Sequence, residues 1–299
     1  MLMGKIINLR RSALRMVRSD GTYAALFLIP SLVGVTIFFF LPFGIGFYYS
    51  LVDTPIDGKI VGIRNYIDLL GNNSFRRAMW NTFLFTVLCV PINMLLSLIL
   101  ASLLNGRVFG QRWFRIAFLS PLVIPVASIV LIWQIFFDMN GILNNWLDAW
   151  GMAPKDWMEG GSALYIAIMI YVWKNVGYNM LLFLAGLQNI PIDHYEAARI
   201  DGAGRWRQWR SITLVYLTPT TFFVFIMSII NSFKVFRETY MLAGPYPHPS
   251  LYMLQHFMNN MFQQLDYQKM TSAAFLMATV IVMLVLFLFM VERRFSRWL

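Results

Sequence analysis

The chain is 299 residues long; 59% of its residues are hydrophobic, 13% carry a charged side chain, and the formal net charge is +10. Soluble domains are about 45 to 50% apolar and about 25% charged, so this composition excludes an ordinary soluble domain and indicates an integral membrane protein. The positive charge is explained by cytoplasmic loops that face anionic lipid, and nucleic acid is not an expected partner.

Six apolar stretches are each long enough to cross roughly 30 Å of hydrocarbon. In chain order they cover residues 23–49, 79–104, 114–137, 163–187, 212–233 and 273–290. All six are predicted to be helical, because an open sheet in lipid would leave backbone groups unpaired. We therefore predict one all-α domain at 23–291, a polytopic membrane bundle of six transmembrane helices. A basic tail at 1–22 and a short tail at 292–299 flank it.

Lysine and arginine in the tails and connections predict the orientation of the bundle. They are concentrated in both tails and in the second and fourth connections: Lys5, Arg10, Arg11, Arg15, Arg18, Arg107, Arg112, Arg115, Arg199, Arg205, Arg207, Arg210, Arg293, Arg294 and Arg297. The third connection instead carries Asp138, Asp148, Asp156 and Glu159 against Lys155 alone. Both termini are therefore expected in the cytoplasm, and the third connection is expected outside.

Several kinds of chemistry lack the residues that they need. The single cysteine, Cys89, lies in the second apolar run, so no internal disulfide is possible. His194, His248 and His256 are scattered without metal-ligand spacing, and the sequence has no G-x-x-x-x-G-K phosphate loop. We expect no catalytic, metal or cofactor site in this chain.

Prolines punctuate most of the apolar runs, at Pro30, Pro42, Pro91, Pro121, Pro125 and Pro219. Each one removes a backbone donor and can kink its helix. Kinks are common in helices that line a moving pathway, but membrane helices also tolerate proline for packing reasons. The sequence leaves both interpretations open.

The fifth connection begins with the turn-rich segment AGPYPHPS at residues 243–250. Apolar residues then recur at helical intervals from Leu251 to Leu265. This spacing predicts an amphipathic helix that lies on the outer face.

The fourth connection, residues 191–210, combines acids, paired alanines, glycines and arginines between two apolar runs. Asp193 is placed to cap a short helix, with Glu196 completing a variant of the capping box, and Gly202 is placed to end it in a left-handed cap. Such a short helix is marginal alone, and its small residues allow another surface to approach closely. The alternative is an ordinary positive-inside loop with interfacial tryptophans, but the acidic, alanine-rich core favours docking.

The segment EAARIDGAGRWRQWRSITLVYLTP resembles the E-A-A loop of permease subunits of binding-protein-dependent ABC importers. Other segments are similar to the sugar branch of that family: FLIPSLVGVTIFFFLPFGIGFYYSL, GIRNY, Asn81 with Thr82, FRIAFLSPLVIPVASIVLIWQIFF, LAGLQNIPIDHYEAA, and Gly244 with Pro245. The resemblance implies the type I ABC importer permease fold and a coupling helix seated in a cleft of the ATPase subunit. The residues that carry this motif are Glu196, Ala197, Ala198, Asp201, Gly202 and Ala203.

The same resemblance implies an assembly and a location. A type I importer contains two permease subunits, of which the second is expected to be a different chain, and two ABC ATPase subunits that bind ATP and Mg²⁺. An extracellular solute-binding protein delivers the cargo. This chain is then expected to hold no cofactor and to form half of the pathway for a carbohydrate, an oligosaccharide, in the inner or cell membrane of a bacterium or archaeon.

Lys174 is the sole charged residue deep inside an apolar run. Lysine at mid-bilayer costs about 2.5 to 3.5 kcal/mol on insertion scales, so we expect it to have a role. Helical spacing places Asn175 and Tyr178 near it, and Asn231 lies in the fifth run. Amide, tyrosyl and lysyl groups suit the hydroxyls and ring faces of a sugar, so these four residues are the candidate substrate pathway. The alternative is that Lys174 binds the neighbouring permease and only fixes assembly.

Other functional classes fit the sequence less well. An ion-coupled secondary transporter requires acids or broken helices in the membrane, and none of the six predicted spans contains Asp or Glu. An intramembrane enzyme would need a constellation of histidine and acids at membrane depth. An ABC importer for glycerol phosphate derivatives or peptides is an alternative that the sequence separates poorly.

Overall fold

The computed structural model describes residues 20–106 and 109–295. Most of the predicted amino-terminal tail lies outside these ranges, as do Arg107 and the last residues of the carboxy-terminal tail, including Arg297. The expectations placed on those residues stay predictions.

The described part of the chain folds into helices joined by loops, with one isolated antiparallel bridge between Val52 and Ile60. In chain order the helices are α1 Asp20–Val35, α2 Leu41–Leu51, α3 Arg64–Gly71, α4 Asn73–Leu104, α5 Gln111–Val123, α6 Val126–Phe137, α7 Ile142–Ala149, α8 Ala163–Gln188, α9 Ile192–Ile200, α10 Arg205–Gln208, α11 Leu214–Tyr216, α12 Thr218–Ser232, α13 Phe236–Ala243, α14 Leu254–Gln263 and α15 Tyr267–Phe295. Two π-helical turns, Thr36–Phe40 and Trp209–Thr213, and a 3₁₀ turn at Phe233–Val235 join neighbouring helices.

Six stretches of the described residues are helical, long and apolar enough to cross a membrane. They are Ala25–Leu51, Asn73–Leu104, Val126–Ala149, Ala163–Gln188, Thr218–Ala243 and Tyr267–Arg294. The prediction of an all-α polytopic bundle with six membrane helices is thereby confirmed. The direction in which the chain crosses the membrane stays a prediction.

Helix α8 is the most deeply buried of these stretches and lies against α4, α5 and α12. Ser97 Oγ on α4 donates to the Val176 carbonyl oxygen on α8 at 3.0 Å, which fastens these two helices together. At Gly177 the backbones of α8 and α5 come very close: a Cβ atom there would lie 1.9 Å from the Phe118 carbonyl oxygen. Small residues permit this kind of approach between membrane helices.

The third apolar run is not one helix. Helix α5 ends at Val123 and α6 begins at Val126, with Ile124 and Pro125 extended between them. A proline lacks the backbone donor of a helical residue and drives the preceding residue out of the helical region. Pro125 therefore breaks its helix, and the third candidate span is Val126–Ala149 rather than 114–137. By contrast, Pro30, Pro91 and Pro121 lie inside helices.

The fifth span continues further than the sequence predicts. After α12 the chain passes through the 3₁₀ turn into α13, so the candidate span is Thr218–Ala243 rather than 212–233. Glu238 lies inside it, Asp138 and Asp148 lie inside Val126–Ala149, and Glu292 lies inside Tyr267–Arg294, so the expectation that no acid occurs in a span is wrong for these three candidate spans. Lys234 and Arg237 resemble the polar end of an apolar run, but the helical path continues and buries Glu238 against α8.

The connection between the fifth and sixth spans folds back onto α4. Asn81 donates two hydrogen bonds, to the carbonyl oxygens of Pro249 at 2.7 Å and Tyr252 at 2.9 Å. Thr82 Oγ1 accepts a hydrogen bond from the Leu254 amide at 2.9 Å. Helix α14 begins there, within the segment predicted to form an amphipathic helix, and packs between α4 and α15.

Candidate transport pathway and coupling surface

A pocket of about 410 Å³ lies between α8, α12 and α13. The four residues of the predicted substrate pathway all line it: Lys174, Asn175, Tyr178 and Asn231. The other lining residues are Leu122, Ile170, Tyr171, Met227, Lys234, Val235, Arg237 and Glu238. Residues from two spans that are distant in sequence thus meet in one place, and their contact with a substrate stays a prediction.

Lys174 and Glu238 form an ion pair between α8 and α13 inside this pocket. Their side chains are only 18% and 11% exposed, so both charges are largely withdrawn from solvent. The sequence leaves open a partner for Lys174 in the neighbouring permease, whereas the structure supplies a carboxylate within the same chain. An opposite charge in direct contact is what makes a lysine tolerable at this depth.

The neutral polar groups of the pocket provide both donors and acceptors. Asn175 donates its side-chain amide to the Tyr171 carbonyl oxygen at 2.8 Å, which leaves the side-chain oxygen of Asn175 as an acceptor. Asn231 Oδ1 accepts from the Lys234 ammonium at 3.4 Å. The ring of Tyr178 is half-buried beside them. Such a lining fits a ligand that combines hydroxyl groups with apolar faces.

Two buried contacts fix the wall of the pocket where α8 meets α12. The Tyr171 hydroxyl donates to the Ser228 carbonyl oxygen at 3.0 Å, and the Asn179 amide donates to Ser228 Oγ at 2.8 Å. Tyr171 and Asn179 are nearly inaccessible to solvent. These two hydrogen bonds therefore hold α8 and α12 together beside the pocket.

Sequence reasoning missed three charged residues of the pocket, Lys234, Arg237 and Glu238. A signal for them exists, because Asn231, Lys234 and Glu238 follow one another at helical intervals of three and four residues. The spacing becomes informative only if the helix is known to continue beyond Phe233. The run of apolar residues stops at Phe233, so it does not indicate that the helix continues.

Helix α9, which the sequence predicts to be a coupling helix, starts differently from the prediction. Its N-cap is Pro191, no side chain caps it, and Asp193 lies in the first turn. The predicted capping box of Asp193 and Glu196 is therefore wrong, because the extended backbone at Pro191 starts the helix before Asp193. Asp193 still favours the helix, since a negative charge near the N-terminus interacts well with the helix dipole.

The carboxyl end of α9 has the left-handed cap that the sequence predicts. Gly202 has φ +75°, its amide donates to the Arg199 carbonyl oxygen at 3.0 Å, and the Ala203 amide donates to the Ala198 carbonyl oxygen at 2.8 Å. These two bonds form a Schellman motif, which satisfies the last carbonyl groups of the helix. Glycine suits the position because other residues are strained at such a φ.

Three contacts tie α9 and its cap to the segment that leads into the fifth span. The Tyr195 hydroxyl lies 2.9 Å from Thr213 Oγ1, and the Tyr216 hydroxyl lies 2.6 Å from His194 Nε2. The buried Gln208 amide donates to the carbonyl oxygen of Ala203 at 2.7 Å. A helix too short to be stable alone is thus held by tertiary contacts.

The other side of α9 is open. Of the six E-A-A residues, Glu196, Ala197, Asp201 and Gly202 are exposed, and Ala198 and Ala203 are half-buried. Large apolar side chains beside them are exposed as well: Ile192 by 61%, Ile200 by 87% and Trp206 by 71%. An exposed surface that mixes apolar and acidic side chains is typical of a protein docking site.

The sequence is similar to those of known transport proteins. The model of the family described as "Binding-protein-dependent transport system inner membrane component" matches residues 69–298. Over 277 residues the chain is 32% identical to the trehalose/maltose transport system permease protein MalF of Thermococcus litoralis, covering 91% of this chain and 94% of that protein. Over 212 residues it is 30% identical to the sn-glycerol-3-phosphate transport system permease protein UgpA of Yersinia pestis, covering 70% and 72%.

The fold is also found among solved structures. A chain of a bacterial ABC transporter involved in the import of the acidic polysaccharide alginate superposes with a TM-score of 0.82 at 22% identity, covering 95% of this chain and 99% of that one. The residues matched by the family model include α9 and every lining residue of the pocket. This chain belongs to the family of binding-protein-dependent transport system inner membrane components, the permease subunits of ABC importers.

Proposed function

We propose that this chain forms half of the translocation pathway for a carbohydrate in the cell membrane of a bacterium or archaeon. The observation that carries the proposal is the pocket between α8, α12 and α13, which combines amide groups, a tyrosine ring and charged donors. These groups match the hydroxyls and the apolar ring faces of a sugar. Similarity to a trehalose/maltose permease and to a transporter of alginate supports the same class of cargo.

A second permease subunit, expected to be a different chain, lines the other half of the pathway in this proposal. An external solute-binding protein delivers the cargo to the loops predicted to lie outside. Asp138, Asp156 and Glu159 surround a cavity of about 580 Å³ in those loops. These acids give the delivering protein a charged surface to contact.

Two ABC ATPase subunits, which bind ATP and Mg²⁺, supply the energy in this proposal, and α9 is the element that contacts them. Its exposed acids and apolar side chains support this role. Because Tyr195 is bound to Thr213, displacement of α9 moves the segment that leads into the fifth span. The same span carries Asn231 and Glu238, so the motion has a direct route to the pocket.

Purification of the tagged chain in mild detergent tests the assembly. We expect a second permease and an ABC ATPase to co-purify, and we expect carbohydrate with its binding protein to raise the ATPase rate of the reconstituted complex. Glu196→Lys should lower the stimulated rate severalfold, because it reverses a charge on the docking surface. Asp148→Lys is the matched control, since it reverses an exposed acid in the third connection.

Different results identify the competing functions. Stimulation by peptides instead of carbohydrates would contradict the cargo. Uptake that needs no ATP and collapses with an ionophore would favour an ion-coupled transporter, for which Glu238 would be the membrane acid. Stimulation by glycerol phosphate derivatives alone would favour the second cargo class, which the similarity to UgpA supports.

A further inference from the structure

The charges that line the pocket do not balance. Three of its side chains are cationic, Lys174, Lys234 and Arg237, and one is anionic, Glu238. The lining contributed by this chain therefore has a formal excess of two positive charges. Charge at membrane depth is costly and is kept where it serves a pathway or a partner.

The ion pair shows which charges are compensated. Glu238 binds Lys174, and both side chains are largely buried by this contact. No ion pair within residues 20–106 and 109–295 involves Lys234 or Arg237. The neutral oxygen of Asn231, 3.4 Å from the Lys234 ammonium, offsets none of its charge. The excess thus resides on Lys234 and Arg237.

These two cations are placed to act together. They lie one helical turn apart, where side chains share a face, and both are exposed in the isolated chain while lining the same pocket. A guanidinium group presents a planar fork of donors, and an ammonium group presents a compact charge. Such a combination binds carboxylate or phosphate groups through short charge-assisted hydrogen bonds.

We propose that the cargo carries an anionic oxyacid group, either the carboxylate of an acidic sugar or a phosphate ester, and that Lys234 and Arg237 bind it. Lys174, neutralised by Glu238, then donates to uncharged hydroxyls of the same cargo. The inference rests on the proposed function, because it names a charge class within the carbohydrate cargo. The competing arrangement is that carboxylates of the second permease bind the two cations.

The test uses the complete importer reconstituted in liposomes with its solute-binding protein. Uptake is compared for matched pairs of compounds, galacturonate oligomers against galactose oligomers and sugar phosphates against their free sugars. The wild-type complex should import one acidic member at least about tenfold faster, in kcat/KM, than its neutral counterpart. Faster import of galacturonate oligomers identifies a carboxylate as the recognised group, and faster import of sugar phosphates identifies a phosphate.

Variants then assign the preference to the pocket rather than to the binding protein. The double variant Lys234→Gln with Arg237→Gln should lose at least about tenfold in kcat/KM for the acidic cargo, which corresponds to about 1.4 kcal/mol. Lys234→Arg and Arg237→Lys keep the charges and should retain most of the activity. Arg64→Gln is the matched control, because it removes an exposed cation on α3, away from the pocket.

Each contrary outcome has one meaning. Faster import of the neutral members overturns the inference and leaves the carbohydrate proposal standing, whereas import of neither member of any pair overturns the proposed function itself. Acidic uptake at the wild-type rate by the double glutamine variant removes Lys234 and Arg237 from cargo binding. Loss of the second permease during size-exclusion of that variant, with normal acidic uptake by the complexes that remain, assigns the two cations to assembly.

Discussion

Lys174 and Glu238 form the most buried ion pair among the described residues. A substitution of either residue therefore changes the stability of the protein as well as its transport activity. Removing one partner of a buried pair leaves the other charge uncompensated, at a cost of about 3 kcal/mol. We expect Lys174→Met to lower the thermal stability of the purified complex by that order. Combining it with Glu238→Gln should restore most of the loss.

A double-mutant cycle on the unfolding temperature measures this coupling. The two single variants, Lys174→Met and Glu238→Gln, supply the reference values. A double variant that is no more stable than Lys174→Met alone would contradict the pairing. Transport assays at this position are informative only in the double variant, because the single variant changes stability as well as chemistry.

His256 gives the connection after the fifth span a dependence on pH. The side chain is fully buried in α14 among the rings of Phe236, Tyr240 and Tyr252. Burial lowers the pKa of His256 from 6.5 to about 4. A lowered pKa means that the folded state holds the neutral ring, so the stability from this site is complete above pH 6.5 and declines as pH falls toward 4.

The decline should amount to about 3 kcal/mol across that interval, from about 1.4 kcal/mol for each pH unit. Hydrogen exchange of the segment around α14, followed between pH 7 and pH 4, measures it. His256→Phe keeps an aromatic ring and removes the titration, so its exchange should vary much less with pH. Equal pH dependence in both proteins would show that another group is responsible.

At the residue scale, the sequence predicts which residues line the pocket better than it predicts which of them form an ion pair. Lys174, Asn175 and Tyr178 could be chosen because polar residues in an apolar run stand out and helical spacing relates them. Their partner Glu238 belongs to another helix, and no spacing rule connects the two. Which face of one helix packs against another depends on tertiary packing, and the periodicity within a single segment does not encode it.

At the scale of elements, the end of α9 offers a sharp comparison between two glycines. Gly202 has φ +75°, whereas Gly204 has φ −67°, and an added Cβ atom would meet nothing within 4 Å at either position. Gly202→Ala should therefore cost about 1 kcal/mol of local stability through backbone strain alone. Gly204→Ala should lack this strain cost, because alanine adopts a φ of −67° freely.

The readout is ATPase stimulation by loaded binding protein, together with the amount of ATPase that co-purifies. We expect Gly202→Val to weaken both, because a β-branched residue fits the left-handed region even less well than alanine. Membrane insertion should be unchanged. Normal stimulation by Gly202→Val and by Glu196→Lys together would remove α9 from the coupling role.

The contact between α8 and α5 gives a second prediction at this scale. An added methyl group at Gly177 would fall 1.9 Å from a backbone carbonyl oxygen, which cannot rotate away. Gly177→Ala should destabilise the bundle by about 1 to 3 kcal/mol, as overpacking does. Gly34→Ala in α1 is the control, since no atom lies within 4 Å of its added Cβ. Thermal unfolding of both variants in the same detergent gives the difference, and equal stability would contradict the observed helix spacing.

Element boundaries show where reasoning from sequence stops. The existence of six apolar helices follows from length and composition, because few other structures satisfy backbone groups in lipid. Breaks and extensions do not follow, since Pro125 ends a helix while Pro91 does not. Likewise the N-cap of α9 is Pro191, although Asp193 is of a residue type preferred at N-caps. Local signals of similar strength therefore do not fix these boundaries by themselves.

At the scale of the whole molecule, a series of consecutive helices connects the proposed docking surface on α9 with the pocket. Helices α10 to α13 run from the contacts that hold α9 to the pocket, joined by the π-helical and 3₁₀ turns. Turns of these types often mark places where a helix bends. In the proposed function, a displacement of α9 reaches the pocket along these helices, of which α12 is held to α8 by the contacts of Tyr171 and Asn179 with Ser228.

The orientation of the bundle remains to be measured, and exposed positions at its two ends allow a direct test. The arginine asymmetry predicts that Asp148 lies outside and Arg205 inside the cell. Both positions are exposed, so failure to label cannot be explained by burial in this chain. In a background with Cys89→Ala, an impermeant thiol reagent should label Asp148→Cys in intact cells and Arg205→Cys only after permeabilisation. The reverse pattern would invert the bundle, and labelling of both sites in intact cells would exclude the predicted number of crossings between them.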